Sequence, residues 1–108
     1  RRPPGAAGTA RYLVPARALE NHIFYAAVSR VGAERGFHFI GHSSIVGCDG
    51  EPLASAGDGP EILCAAIDPS VARHKRQVKI PGIYEIDRVG DRRPDLYGPL
   101  CEPRPDAG

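Results

Sequence analysis

At 108 residues, with 42% apolar and 25% charged side chains, the chain has the composition of one small globular domain. Its formal net charge of +1 lacks the basic excess of a nucleic-acid binder. No apolar run reaches the roughly 18 residues needed to cross a bilayer and no secretory apolar segment is visible, so a soluble, cytoplasmic protein is expected.

Methionine is absent, even at position 1, and the opening "RRPPGAAG" reads as linker or truncated edge (residues 1–8) of something longer. Thr9 is positioned to cap a helix over "ARYLVPARALEN", with Pro15 either kinking it or starting it afresh. Ile23–Ser29, "IFYAAVS", is apolar on both alternating faces and predicts a strand covered on both sides. A second strand is expected over Phe37–Gly47, followed by a hairpin turn at "CDGE", where the Asp49-Gly50 pair suits tight reversal. "PLASA" returns as a strand, and "EILCAAI" (61–67) reads as a third apolar one. Asp68 and Pro69 then mark a helix start over "PSVARHKRQV", and from Lys79 the chain reads as a loop-rich tail, with 101–108 expected to be disordered. Strands of this kind need cover on both faces, and two helices hardly supply it.

The reactive residues concentrate in "GHSSIVGCDGE" (41–51), which holds the types used in nucleophilic hydrolysis. Their spacing argues against a site. On a strand, His42 and Ser43 point to opposite faces, and His38 and His42 stand about 13 Å apart. Cys48 falls at the turn beside Asp49, which would raise rather than lower its thiol pKa. Cys64, inside the apolar run, is expected to be a buried, inert thiol, and Cys101 an exposed, free one. With an odd number of cysteines at wide spacing, reduced thiols are the reading. The four histidines (His22, His38, His42, His74) lack ligand spacing, so no metal site is expected. The basic run Arg73–Lys79 suits the solvated, C-terminal end of a helix better than a phosphate patch, and no glycine-rich phosphate loop opens either helix.

Three stretches taken together, "VPARALENHIFYAAVSRVG", "FIGHSSIVGCDGEPLASAGDGPEILCAAID" and "DRRPDLY", resemble the C-terminal portion of the carbon–nitrogen hydrolase (nitrilase) superfamily. The matching positions are Arg17, Ala18, Glu20, Asn21 and Gly32, then Gly41, Ser43, Ile45, Val46 and Gly50. Asp68, Arg92, Arg93, Pro94 and Tyr97 complete the set, which spans about positions 11 to 97. One departure stands out: Ser29 replaces the asparagine usual at the end of the first strand, which puts any polar role there in question. The insert "KIPGIYEIDRVG" suggests a particular branch of the superfamily, amidase-like or carbamoylase-like.

The resemblance implies an α/β fold, a partial αββα sandwich made by the C-terminal half of the domain over residues 9–100. It implies a parent enzyme in which a cysteine attacks an amide, carbamoyl or nitrile carbon, a glutamate acts as base and a lysine supports the oxyanion. In the family those three residues lie upstream of the "RA-x-EN" helix. Cys48, Cys64, Cys101, Lys75 and Lys79 do not occupy those motif positions, so no catalytic residue, cofactor site or metal site is expected in this chain. Its expected share is scaffold and dimer contacts through the C-terminal tail, its partners the missing N-terminal half of the domain and a second copy. The alternative is a non-catalytic assembly module that retains the half-fold.

Overall fold

The computed structural model describes Pro4 to Pro105; residues 1–3 of the expected linker and 106–108 of the expected tail lie outside the described residues. A helical rod occupies 6–21 in three registers: α1 (Ala6–Gly8), a π-helical turn (Thr9–Leu13) and α2 (Val14–Asn21). It begins on Gly5 at φ 78°, so Thr9 is not its cap, and the α-helical register restarts at Val14 with Pro15 in its first turn, one of the two expected outcomes. Proline lacks an N–H and its ring crowds the carbonyl one turn back. The wider π turn directly before α2 relaxes that crowding, and the absent donor falls in the first turn of α2, where it costs little. His22 ends the rod in the left-handed region (φ 49°, ψ 60°), its N–H turned back on the Ala18 and Leu19 carbonyls.

Three antiparallel strands form the main sheet, in the order β1 (Tyr25–Ala27), β4 (Ser44–Val46), β5 (Pro52–Ser55). Ala26 faces Ile45, and Ile45 faces Ala54. The helix α2 lies on one face, where Val14, Ala18 and Val46 make the core with Ala27 alongside. Val46, 1% exposed, is the one large side chain fully enclosed among the described residues. Burying it contributes about 1.5–3 kcal/mol, a small core for a chain of this length.

The long strand expected over Phe37–Gly47 does not form. Instead β2 (Ala33–Glu34) and β3 (Phe37–His38) make a tight hairpin across Arg35-Gly36, both at positive φ (50° and 82°), as a primed two-residue turn requires. Gly41 and His42 (φ 65° and 57°) then break the extended backbone a second time, so His38 and His42 never share a strand. The hairpin joining β4 to β5 forms as expected: the Gly50 N–H reaches the Gly47 carbonyl (3.0 Å), and the Gly47 N–H reaches Glu51 (2.8 Å).

Other expectations are corrected. Ile23–Ser29 yields a three-residue strand that is not covered on both sides, with Val28 94% exposed. Glu61–Ile67 pairs with nothing among the described residues, and Cys64 within it is exposed, not buried. The helix capped by Asp68 stops at Arg73 (α3, Pro69–Arg73), and the basic run becomes β6 (Arg76–Ile80), paired with β7 (Tyr84–Asp87) across Pro81-Gly82-Ile83. One turn and a half of helix has little cooperativity of its own. The β-branched Val78 and Ile80, meeting Glu85 and Tyr84, favour the ribbon. The expected loop-rich tail therefore starts with a hairpin and continues through two short 3-10 turns, Pro94–Leu96 and Gly98–Cys101.

The result is an α/β layer pair rather than a closed body. Its radius of gyration is 18.2 Å and its extents are 52 × 46 × 20 Å. A compact chain of this length would have a radius of about 13 Å.

Candidate functional site

Two groups of polar side chains carry most of the long-range hydrogen bonds. The first forms where α2 ends. Lys75 donates from Nζ to the carbonyls of Asn21 (3.0 Å) and His22 (2.7 Å), placing a cation on the carbonyl end of the helix. The buried His22 ring sits with Nε2 2.9 Å from the Val71 carbonyl and 3.1 Å from the Gln77 amide nitrogen, and Gln77 donates to the His74 carbonyl (2.7 Å). Cys48 lies buried in the hairpin beneath. Burial pushes its thiol pKa up; Lys75 pulls the other way and Asp49 adds to the rise. Lys75 is close enough to act on the Cys48 thiol, but burial holds that thiol above its ordinary pKa and two of the lysine's three donors are committed to carbonyls. The arrangement clamps the α2 terminus to α3 and β6. Sequence reasoning missed it because its partners lie about fifty positions apart, and Lys75 sits among other cations in the basic run Arg73–Lys79.

The second group surrounds Gly41–Ser43. The Ser43 hydroxyl accepts from the Ser29 N–H (2.8 Å) and donates to the Ser29 carbonyl (3.2 Å), tying the end of β1 to the start of β4. His42 places Nε2 3.2 Å from the Asp58 carboxylate, with both side chains about half exposed. Its N–H meets the Gly57 carbonyl (3.1 Å). His42 and Ser43 thus serve different partners, as expected, although the cause is the left-handed backbone at His42 and not strand alternation. An apolar groove of about 320 Å³ opens beside them between the helical rod and the sheet, lined by residues such as Ala10, Arg11, His42, Ser44 and Ser55.

The remaining sequence candidates are local. Arg17 pairs with Glu20, and the Asn21 amide donates to the Arg17 carbonyl (2.9 Å), which places that cluster on the exposed side of α2. Asp68 accepts from the Ser70 N–H (3.0 Å) and hydroxyl (2.7 Å), which hold its carboxyl below the usual range. Arg93 grips Asp95 through Nε (3.0 Å) and a terminal nitrogen (2.6 Å), holding Asp95 low as well. Cys101 is exposed and unpaired. Among the described residues, no three His, Cys, Asp or Glu side chains gather to hold a metal, and no helix is long and apolar enough to cross a membrane.

Residues 7–77 match the family described as Carbon-nitrogen hydrolase. The chain belongs to the carbon–nitrogen hydrolase family. It is 38% identical over 85 residues to a nitrilase of Pyrococcus abyssi, covering 78% of this chain and 30% of that protein. It is 35% identical over 86 residues to an omega-amidase of Saccharomyces cerevisiae, covering 79% and 27%. Among solved structures it superposes on a carbon–nitrogen hydrolase from Helicobacter pylori (TM-score 0.68, 33% identity, 82% of this chain and 30% of that one). A cysteine-to-alanine mutant of a Nesterenkonia amidase from the nitrilase superfamily gives a TM-score of 0.67 at 31% identity, over 87% and 30%. The fold is therefore part of a nitrilase-superfamily fold, and the chain spans about 30% of the length of the relatives it matches.

Within that family, the departure at Ser29 has a physical account. Ser43 bonds only to the main-chain N–H and carbonyl of residue 29, which any residue except proline supplies.

Proposed function

We propose that the chain is the C-terminal share of a thiol-dependent carbon–nitrogen hydrolase of amidase, N-carbamoyl amidohydrolase or nitrilase type, acting on non-peptide C–N bonds in the cytoplasm. The reading is carried by the family match over residues 7–77, in a chain that spans about 30% of its nitrilase and amidase relatives. The nucleophilic cysteine, the glutamate base and the lysine of the parent enzyme lie outside this segment. The raised Cys48 thiol pKa and the commitment of Lys75 to the Asn21 and His22 carbonyls support that assignment. The segment contributes scaffold: α2 and the β1-β4-β5 sheet form one wall of the domain. The arm from β6 through the 3-10 turns, with Ile83 82% and Leu100 81% exposed, contributes the contacts between two copies.

The test uses two proteins. One is the chain alone; the other is a graft in which residues 7–105 replace the matched part of the Nesterenkonia amidase. The graft is expected to hydrolyse a simple aliphatic amide and the isolated chain to have no turnover. Turnover by the pure isolated chain, abolished by Cys48→Ala, would refute the reading and restore the hairpin as a site.

A further inference from the structure

The sequence holds two Asp-Gly pairs, Asp49-Gly50 and Asp58-Gly59, and the fold treats them differently. An aspartate followed by glycine can close a five-membered imide, because no side chain on the glycine hinders the approach of its nitrogen to the aspartate Cγ. Closure needs that nitrogen free and the aspartate main chain able to rotate. At the first pair neither condition is met. The Gly50 N–H donates to the Gly47 carbonyl (3.0 Å), so Asp49 is the third residue of a closed turn, and its carboxylate accepts from the Glu51 N–H (3.0 Å). Gly50 also packs on α2: a Cβ there would lie 3.3 Å from both Leu19 Cβ and the Pro15 carbonyl oxygen.

The second pair is open. Among the described residues the Gly59 N–H has no hydrogen-bond partner, residues 57–60 are all exposed, and a Cβ on Gly59 would meet nothing within 4 Å. The Asp58 carboxylate meets the His42 ring at 3.2 Å, but both side chains are about half exposed, and a surface pair of that kind restrains little.

We propose that Asp58 is a site of spontaneous isomerisation to isoaspartate, and that Asp49, in the same dipeptide, is protected by its turn. The Gly59 nitrogen attacks Asp58 Cγ. The new C–N bond forms as one carboxylate oxygen leaves as water, carrying the Gly59 amide proton and one proton from solvent. Water then adds at the Asp58 main-chain carbonyl carbon and breaks its bond to the Gly59 nitrogen. The freed α-carboxyl ionises and returns the proton to solvent, so the net change is an isomerisation with water as the one co-reactant. The main chain now runs through Asp58 Cβ and Cγ. It is lengthened beside the Gly57 carbonyl that accepts the His42 N–H (3.1 Å), the joint between the end of β5 and the start of β4. The proposal stands apart from the hydrolase reading, since it needs only this loop and solvent.

The test is storage of the chain in native buffer and in urea, with isoaspartate at each pair read by digestion and fragmentation mass spectrometry. In native buffer Asp58 is expected to convert at least about tenfold faster than Asp49, because closure at Asp49 must first break two hydrogen bonds. In urea, where the turn is lost, the two rates are expected to come within about threefold of each other. Gly59→Ala, which has open space for its Cβ and no positive φ, is expected to slow conversion at Asp58 at least about tenfold and leave the rate at Asp49 unchanged. Equal rates at the two pairs in native buffer, faster conversion at Asp49, or no isoaspartate at Asp58 overturns the proposal. So does an Asp58 excess that persists in urea, or conversion at Asp58 that Gly59→Ala does not slow.

Discussion

Gly41→Ala is the most informative substitution, because the local geometry gives both its cost and its control. Gly41 sits at φ 65°, where a Cβ would lie 2.7 Å from the Gly57 carbonyl oxygen and 3.0 Å from Val31 Cγ1. Holding an alanine in the left-handed region costs about 1–2 kcal/mol. Relieving the oxygen contact means moving the Gly57 carbonyl, which accepts the His42 N–H at 3.1 Å. Losing that bond costs about 0.5–1.5 kcal/mol more. The total is about 1.5–3.5 kcal/mol, a large part of the stability of a small domain. At a urea m-value of about 2 kcal/mol/M, the unfolding midpoint of the graft should fall by about 0.8–1.8 M. Gly57→Ala is the control: its Cβ meets nothing within 4 Å and its φ is not positive, so its midpoint should stay within about 0.3 M of the parent. Equal midpoints for Gly41→Ala and the parent, or equal damage from both alanines, would refute the geometry.

Ser43→Ala removes both bonds to the main chain of residue 29 and should cost about 1–2 kcal/mol in urea unfolding, while Ser29→Ala should stay within about 0.5 kcal/mol; the reverse order would mean that the serine side chain at 29 has a role of its own. Because the Asp68 carboxyl is held below its ordinary range by Ser70, its contribution is complete above the unfolded pKa of about 4 and is lost as pH falls through the lower folded value. Asp68→Ala should therefore lower the thermal midpoint at pH 6 and flatten its decline between about pH 4 and 2; an unchanged acid profile would remove Asp68 from the account. Iodoacetamide at pH 8 should label Cys64 and Cys101 at least about tenfold faster than Cys48, as read by peptide mass spectrometry, and equal rates would contradict the enclosed, protonated thiol.

Local chemistry was legible in the sequence wherever it is decided within a few residues. Asp68 and Pro69 start a helix because a carboxylate can reach the N–H two positions on. Asp49-Gly50 turns a hairpin, and Gly50 takes the positive φ (80°) that the turn needs. The order and spacing of Arg17, Glu20, Asn21, Gly41, Ser43 and Val46 carried the family. That the His42 and Ser43 side chains turn to different partners was also readable, although the cause is the left-handed backbone at His42 and not strand alternation.

Pairing was decided by the tertiary structure. Whether Arg76–Ile80 continues a helix or forms a strand depends on Tyr84–Asp87 lying alongside, which local propensity does not report. Lys75 is one cation in a basic run until the end of α2 presents it with two carbonyls. Cys64 was expected inside because its neighbours are apolar, yet it is exposed, because an apolar run is buried only where something covers it. Sequence alone determined the family and the local turns, since each needs only residues near in the chain. Burial and strand pairing depend on which distant segments meet, and only the folded arrangement supplies that.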